Sequence, residues 1–560
     1  MSSIPIILVA ALGYVAAYRL YGSWLGRRIF KLDRGAVTPA HALEDGEDFV
    51  PTKTEVLFGH HFTTIAGTGP IVGPAIAVIW GWVPAILWVV LGPIFMGAVH
   101  DLGALVISSR HRAESIGEIA EEIISPRVRT LFLLIIFFLL LLVIAVFGWV
   151  IAVIFKLYPQ AVIPVWAEVP IALWLAWAVA KNKVSLRVGA LVAVAAMYAF
   201  VYVGYKVPFT MPEIAGVHPT VTWIVILLAY SYVASILPVQ RLLQPRDFIN
   251  SHQLFIVMAA LVLGLAIARP AVVAPTFDPH PTGAPPMIPM IFVIIACGAI
   301  SGFHSLAGSG TTSKQMNSET DALPIGYGSM LLEGFLAVLV ILACTAGFPD
   351  TAAWKAHYGD FAVANGLGST VDAFVHGSSN IMAAAYGLPV ALLATVMGVF
   401  VVSFASTSLD SATRIQRYVV AELAADFNID FFKNKHAATS FAVVTAAALA
   451  LAQKGGTGAL LLWPLFGTTN QLLAGLTFLV IWAYLLRRGS PTWFAFVPMV
   501  FMIAMTGWAM VLNLDLYYQK AQWHLLVMGG IVLVLEIWMI AETVMVSRSL
   551  RAARPERSAG

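Results

Sequence analysis

The sequence predicts an all-α polytopic membrane protein with about 15 transmembrane helices, and three observations support this class. Of its 560 residues, 60% are hydrophobic and only 11% are charged, with a mean hydropathy of +0.86. A soluble domain carries about 25% charged residues, so this chain has too little polar surface to stay in solution. Apolar runs of the roughly 20 residues needed to cross a bilayer recur along the whole chain. Basic residues concentrate in alternate loops between these runs.

The apolar runs give the positions of the predicted spans. The longer runs are 4–22, 57–80, 84–108, 131–155, 187–205, 254–275, 288–308, 325–347, 386–410, 461–486, 493–513 and 523–546, and shorter candidates are 166–181, 221–238 and 437–453. The first run is followed, not preceded, by the basic residues Arg27, Arg28, Lys31 and Arg34. This order predicts a retained helix with its N-terminus outside, rather than a cleavable signal. With about 15 spans the C-terminus lies inside, and 547–560 is predicted to be a cytoplasmic tail.

We expect a single transmembrane domain over 1–560, built from two inverted repeats. Phe62–Pro70 aligns without gaps to Phe303–Thr311, with four of nine positions identical. An odd number of predicted spans separates the two segments, so they cross the membrane in opposite senses. Weakly similar segments of opposite orientation are typical of inverted-repeat transporters. The predicted boundaries are 4–22 for an extra N-terminal span, 57–275 for the first repeat and 288–546 for the second.

Glycine and proline interrupt the first of these segments in the middle of its span. Gly67, Thr68, Gly69 and Pro70 lie there, and Pro70 cannot donate a helical hydrogen bond. An unwound segment frees backbone groups that lipid cannot satisfy, and a half-helix that starts at Pro70 would favour an anionic group. These four residues are therefore predicted to bind substrate. The alternative is close helix packing, since Gly69 and Gly73 form a GxxxG pair.

The polar segment that follows the second copy of the motif is predicted to be the other broken helix. Its hydroxyls can cap a half-helix, and Lys314 adds a full positive charge. The segment is too polar to face lipid, so it should line a cavity or be buried in protein. The residues predicted to bind substrate here are Ser305, Ser309, Gly310, Thr311, Thr312 and Lys314.

Ionisable residues within the predicted spans are the candidates for ion coupling, because each is unfavourable in lipid unless paired or hydrated. Asp101 and Glu333 are the predicted proton carriers. His60, His61 and His304 flank the two motifs and are further candidates, with structural hydrogen bonds as their alternative role.

Two further polar features lie at the end of the 386–410 span. Asp410 and Arg414 are four residues apart on a helix and are expected to pair with each other. Ser406 and Thr407 are a predicted cation site for Na⁺, and ordinary hydrogen bonding between helices is the alternative.

The sequence contains no motif that predicts an enzyme. It has no HExxH, no GxSxG and no P-loop, and its two cysteines have no metal-binding spacing. We therefore expect no catalytic residues, no metal and no cofactor, and transport driven by an ion gradient. The expected partners are a small-molecule substrate, H⁺ or Na⁺ as coupling ion, and the lipid bilayer, without nucleic acid. The longest predicted outer segment, 348–385, is expected to be a solvated loop, or alternatively a lid.

At these residues the chain resembles the carbon starvation protein A family of bacterial membrane transporters. The stretches that carry the resemblance are Phe58–Phe62, Ile65–Pro74, Pro245–Asp247, Ile300–Ser305 and Ser309–Gln315, and the likeness runs from about residue 10 to about residue 546. It implies a fold of the amino acid–polyamine–organocation type, with five-plus-five inverted repeats and added helices. It also implies a bacterial inner (plasma) membrane location. The family has been linked to peptide uptake in carbon starvation and to proton-coupled pyruvate uptake.

Together these observations predict a secondary active transporter that imports a small, pyruvate-like carboxylate in response to carbon starvation, coupled to protons. The first alternative is an oligopeptide importer of the same fold. The second is a passive channel or a membrane sensor, which the intramembrane acids and broken helices disfavour.

Overall fold

The computed structural model describes residues 3–552, and in that range the secondary structure is helical, without strands. Single helical turns lie at Pro39–Ala42 and Phe361–Ala364. The helices that we number in chain order are α1 Ile4–Ile29, α2 Thr54–Ile65, α3 Gly69–Trp80, α4 Trp82–Arg110, α5 Ile116–Ile123, α6 Pro126–Leu157, α7 Pro159–Ala180, α8 Leu186–Lys206, α9 Pro219–Ile236, α10 Leu243–Ala268, α11 Met287–Ile294, α12 Gly302–Ala307, α13 Glu319–Ala346, α14 Thr351–Tyr358, α15 Leu367–Tyr386, α16 Val390–Asp426, α17 Lys435–Ala450, α18 Trp463–Arg487, α19 Trp493–Gln519 and α20 Trp523–Ala552.

The helices confirm a multi-pass membrane protein. Within the described range, 12 helices are long and apolar enough to span a bilayer, or 13 if the bent pair α2–α3 forms one span. The predicted total of about 15 needs two further segments. One is 288–308, which is broken in the structure, and the other is the 16-residue α17. The total of 15 and the outer N-terminus stay predictions. The predicted tail is helical up to Ala552, and 553–560 lie outside the described residues.

The first predicted break is confirmed. α2 ends at Ile65, α3 begins at Gly69, and the two helices are bent by 45°. Pro70 is the second residue of α3, where its missing N–H disrupts no helical hydrogen bond. The break therefore lies at 66–68.

The second break is present, but its predicted position at Ser309–Gln315 is wrong. The chain leaves the helix after Ile294, runs without helical structure through Ser301, and becomes helical again at Gly302. Gly298, with φ +84°, provides a left-handed conformation in this stretch. The predicted segment instead continues α12 as a π-helical turn over Gly308–Thr312. The hydroxyl-rich composition was misleading because these side chains bond to their own helix rather than to freed backbone.

The two halves of the chain pass through a similar order of elements. Each has a broken helix, a long helix, a short helix, one very long helix and two more helices, and the second half has the additional α15 before its very long helix. The very long helices are α6, with 32 residues, and α16, with 37, and they pack against each other along the centre of the molecule. α9 and α10 lie between the halves. The predicted solvated loop 348–385 is wrong, because most of it forms α14 and α15, and α15 packs against α10, α13 and α16.

The segment between α1 and α2 covers one end of the bundle, which we call the basic face. There Asp48 accepts hydrogen bonds from Arg414, at 2.6 Å, and from Arg417, at 3.1 Å. Val50 and Thr52 add backbone bonds to the stretch after α12. The expected Asp410–Arg414 pair is therefore wrong, because Arg414 turns outward to Asp48. We call the opposite end, with the 276–286 loop, the cavity face.

Burial and the neighbouring arginines have opposite effects on the pKa of Asp48. Burial alone would raise the pKa of this carboxyl, but Arg414, Arg417 and Lys314 outweigh it and lower the pKa below the usual value of 3.8. A lowered pKa means that the folded state favours the carboxylate, so its contribution is present at neutral pH and is lost as the pH falls through the lowered pKa. The ion pairs of Asp48 with Arg414 and Arg417 are thus intact at physiological pH.

Asp48→Asn is expected to loosen the segment that covers the basic face. Each hydrogen bond to a charged group contributes roughly 1.5–3 kcal/mol, and the amide removes the charge from two of them. Hydrogen exchange in detergent, followed by mass spectrometry over residues 43–53, should become faster at neutral pH. Glu44→Gln removes an exposed acid from the same segment and should leave exchange unchanged. Equal exchange in both variants would contradict this account.

Candidate functional site

A cavity of about 720 Å³ opens at the cavity face and reaches into the middle of the bundle. Its walls are the 283–286 loop, the 360–365 segment and the ends of α3, α11, α18 and α19. Following α3 and α11 inward, the deepest lining residues are Gly69 and Cys297. Each belongs to one of the two helix breaks, so the breaks meet at the floor of the cavity.

The breaks can meet because glycine removes side chains at the contact. A Cβ on Gly69 would overlap Cβ of Cys297 and lie 2.5 Å from its Sγ. A Cβ on Gly73 would overlap the carbonyl oxygen of Ile294. Helix breaking and close packing, which the sequence left as alternatives, therefore both hold at Gly69.

A chain of buried ionisable side chains lies directly behind this floor. We call it the Glu333 network, formed by His100, Asp101, His304 and Glu333. Nδ1 of His100 is 2.7 Å from Oδ1 of Asp101, whose Oδ2 is 2.9 Å from Nδ1 of His304. Nε2 of His304 is 3.3 Å from Oε2 of Glu333. The backbone N–H of Gly298 donates to Oε1 of Glu333 at 2.9 Å. All four side chains are buried.

This arrangement can hold a proton in more than one place. An imidazolium at His304 between two carboxylates leaves one net negative charge, and a second proton makes the group neutral. His61 lies nearby, with its Nδ1 2.8 Å from Oγ1 of Thr312. The sequence named Asp101, Glu333 and His304 separately, and the structure brings them together from α4, α13 and α12.

The residues predicted to bind substrate are divided by the structure. Gly69 lines the cavity, and Gly67, Thr68 and Pro70 are its neighbours at the first break. The remaining six lie outside the lining and, apart from the half-buried Lys314, are buried. The Ser305 hydroxyl donates to the Gly302 carbonyl, and Ser309 accepts from the N–H of Ile116. Gly310 lies against Ile415, Thr311 donates to Ala307 and Thr312 bonds to His61.

Lys314 lies at the basic face, away from the cavity floor. Its ammonium sits 3.6 Å from the ring centroid of Tyr418 and 5.6 Å from that of Phe49. The positive charge that the sequence assigned to the substrate is thus placed beneath the covering segment.

The sequence missed a second buried group, which we call the Arg246 network: His60, Glu168, Tyr230, Arg246, Asp247 and Asp410. Arg246 pairs with Asp410 and, at 3.1 Å, with Asp247. Nδ1 of His60 lies 2.6 Å from Oδ2 of Asp247. Two signals were available: the Pro245–Asp247 stretch, used only for the resemblance, and a lone acid, Glu168, inside the 166–181 span.

The predicted cation site is divided between two environments. The Thr407 hydroxyl donates to Asp247 at 3.2 Å and accepts from Asn250 at 3.3 Å, which attaches it to the Arg246 network. The hydroxyl of Ser406 is buried without a hydrogen-bond partner in the described chain. Within residues 3–552, no three His, Cys, Asp or Glu side chains converge as a metal site requires.

Gly69→Ala is expected to destabilise the protein by about 1–3 kcal/mol, because the added methyl overlaps Cys297. Cys297→Gly removes the overlapping atoms, so the double variant should recover most of the thermal stability measured in detergent. Gly13→Ala is the matched control, since nothing lies within 4 Å of its Cβ position. Additive losses in the double variant would contradict the contact between the breaks.

Comparison with known proteins identifies the family. The family model described as carbon starvation protein CstA matches residues 2–350 and 350–509. The pyruvate/proton symporter BtsT of Escherichia coli K12 is 30% identical over 92% of this chain and 82% of its own. The peptide transporter CstA of Bacillus subtilis 168 is 32% identical over 86% of this chain and 85% of its own.

A comparison with solved structures finds a weaker similarity. A manganese transporter of Eremococcus coleocola covers 91% of the chain at 11% identity, with a TM-score of 0.49, which is too low to assign the fold. The sequence relatives and the family model are decisive instead. The chain belongs to the carbon starvation protein CstA family of membrane transporters.

Proposed function

We propose that this protein is a proton-coupled secondary transporter that imports a small carboxylate, of which pyruvate is the model, across a bacterial inner membrane. One observation carries the proposal. Gly298, next to the cavity-floor residue Cys297, donates its N–H to Glu333, the end of a buried chain of ionisable groups. The place where substrate would arrive is thus one hydrogen bond away from the place where a proton would sit.

The chemistry of that bond supplies the coupling. Hydrogen bonds to an ionised carboxylate are roughly twice as strong as those between neutral groups. An ionised Glu333 therefore binds the Gly298 N–H and a protonated His304 more strongly than a protonated Glu333 does. Thermodynamic coupling is reciprocal. A substrate that alters the 295–301 segment therefore changes the proton affinity of Glu333 by the same factor by which protonation of Glu333 changes the substrate affinity.

The fold supports alternating access. The cavity reaches the breaks from one face, while the segment tied by Asp48 covers the other. The repeated order of elements supports one inverted repeat in each of the proposed units 57–275 and 288–546, and with the proposed outer N-terminus the cavity face is outside. This arrangement supports the proposal of an outward-open importer.

The relatives and the cavity support two substrate candidates. The symporter from Escherichia coli is named for pyruvate and protons, which favours the small carboxylate. The second candidate is an oligopeptide, favoured by a cavity far larger than pyruvate and by the peptide transporters among the relatives. Asp360, Asp515 and Lys520 place both signs of charge at the cavity mouth, which also suits a zwitterion.

Glu333→Gln is expected to remove the proton-driven accumulation that Glu333 couples, but to retain substrate exchange. The amide oxygen can still accept from Gly298, so the floor keeps its structure, while the side chain no longer binds a proton. In proteoliposomes with an inward gradient of one pH unit, each coupled proton supplies about tenfold accumulation, or about 1.4 kcal/mol. The variant should lose the tenfold factor that the Glu333 proton supplies, yet still show counterflow.

Glu536→Gln is the matched control for this experiment. Glu536 is an equally buried acid, but it lies in α20, outside both networks. This variant should accumulate substrate like the unmodified protein. If Glu333→Gln also accumulates normally, the Glu333 network is not the coupling site. If the unmodified protein never exceeds equilibrium, it is a passive channel.

Separate uptake assays identify the substrate, and protection of Cys297 from alkylation reports where the substrate binds. Labelled pyruvate and labelled dialanine should be tested separately in the same liposomes, and we expect pyruvate to accumulate. In a Cys344→Ala background, alkylation of Cys297 through the cavity should be slowed by the transported compound alone. Accumulation of dialanine without pyruvate would reverse the choice of substrate.

A further inference from the structure

The Arg246 network contains more acids than bases. The titratable and charged groups that face its centre are His60 of α2, Glu168 of α7, Tyr230 of α9, Arg246 and Asp247 of α10, and Asp410 of α16. Three carboxylates thus share one guanidinium. Arg246 and the acids are at most 2% exposed. Even with a protonated His60, the buried group keeps a net negative charge, which is unfavourable in a membrane.

The geometry shows which acid lacks compensation. Asp410 binds Arg246 directly. Asp247 is held by His60, by Arg246 and by the Thr407 hydroxyl. Glu168 is 3.8 Å from Nε of Arg246, too far for a hydrogen bond. One of its oxygens accepts from Ser403 at 2.8 Å, and the other has no hydrogen-bond partner in the described part of the chain.

A second observation points to a ligand at this position. The side-chain oxygen of Asn250 is fully buried and has no hydrogen-bond partner among residues 3–552, although its amide nitrogen bonds to Thr407 inside the network. A buried acceptor without a donor is unfavourable by about 1–3 kcal/mol, so the site lacks a donor hydrogen. Among the described residues, no three His, Cys, Asp or Glu side chains converge here to hold a metal ion. A proton needs one oxygen.

We propose that the Arg246 network is a second proton site and that Glu168 carries a transported proton. The proton comes from water on the side of higher proton concentration, binds an oxygen of the Glu168 carboxylate and leaves to water on the other side, without redox chemistry. This inference rests on the proposed function, and it sets the number of protons that accompany each substrate.

The position of the site explains how it acts on the cavity floor. Thr407 donates to the network, and the next residue, Ser408, donates at 3.0 Å to the carbonyl of Thr64 at the end of α2. A Cβ on Gly67 would overlap the Ser408 hydroxyl. A change of charge at Glu168 therefore acts on the first break through α16. A change of charge at Glu333 acts on the second break through its hydrogen bond to Gly298.

The test measures how strongly the membrane potential raises substrate accumulation, which gives the net charge that moves with each substrate. Proteoliposomes receive labelled pyruvate and labelled dialanine in separate reactions, at fixed pH gradient, with a tenfold potassium gradient and valinomycin to set an inside-negative potential. Each net positive charge that moves with the substrate raises accumulation about tenfold. Glu168→Gln should carry one charge fewer, so this potential-driven increase should fall about tenfold relative to the unmodified protein for whichever compound is transported.

The remaining variants separate this inference from the proposed function. Glu536→Gln should keep the full effect of the potential. If Glu168→Gln moves the same charge as the unmodified protein, the second proton site is wrong, while proton coupling through Glu333 stands. If the pH gradient drives no accumulation in the unmodified protein, the proposed function fails instead.

Ser403→Ala provides a test that leaves Glu168 in place. The Ser403 hydroxyl donates to Glu168 and favours its ionised form, so its loss should favour protonation. The pH at which the potential-driven component is half-maximal should move upward. Thr445→Ala, which removes a hydroxyl bonded within α17, should not move it. An unchanged midpoint in Ser403→Ala overturns the assignment of Glu168.

Discussion

Backbone groups that are freed where a helix breaks inside a membrane must find partners within the protein, and this constraint organises the centre of the molecule. At the second break, the carbonyls of Phe292 and Ile295 accept from Gln471 and Trp88, and the N–H of Phe303 donates to Asn470. The N–H of Gly298 is different, because its partner is an ionisable group. A structural requirement is thereby met by a residue whose charge can change, and the proposed proton coupling depends on this one hydrogen bond.

The sequence predicted the features that depend on local chemistry. Composition and run length gave a multi-pass helical protein, Gly67–Pro70 gave the first break, and Asp101 and Glu333 were recognised because acids are rare in apolar spans. It failed where spatial neighbours decide. The hydroxyls after Gly308 suggested a break, yet they bond to their own helix. The break occurs at Ile295–Ser301, where side chains of α4, α13 and α18 form hydrogen bonds with the freed backbone groups.

Pairing of charges shows the same limit. Asp410 and Arg414 have the spacing of a helical pair, but Asp410 faces Arg246 on α10 and Arg414 faces Asp48 on the covering segment. Both arginines are buried, so the deciding comparison is between the carboxylate one turn away and the carboxylate that another segment brings into contact. No spacing rule contains that comparison. Glu168 could have been found, since it met the same criterion as Asp101 and Glu333.

One helix joins the parts that an importer must coordinate. Along α16, Ser403 and Thr407 bond to the Arg246 network, Ser408 bonds to the first break, and Arg414 and Arg417 hold Asp48 at the basic face. These contacts span about 21 Å at 1.5 Å per residue. A regular helix transmits displacement with little loss, so a shift of α16 that follows a change of charge at the network must also act on the break and on the covering segment. In the proposed transporter, α16 would link the cavity floor to the closed face, so that a single rigid element opens one as it closes the other.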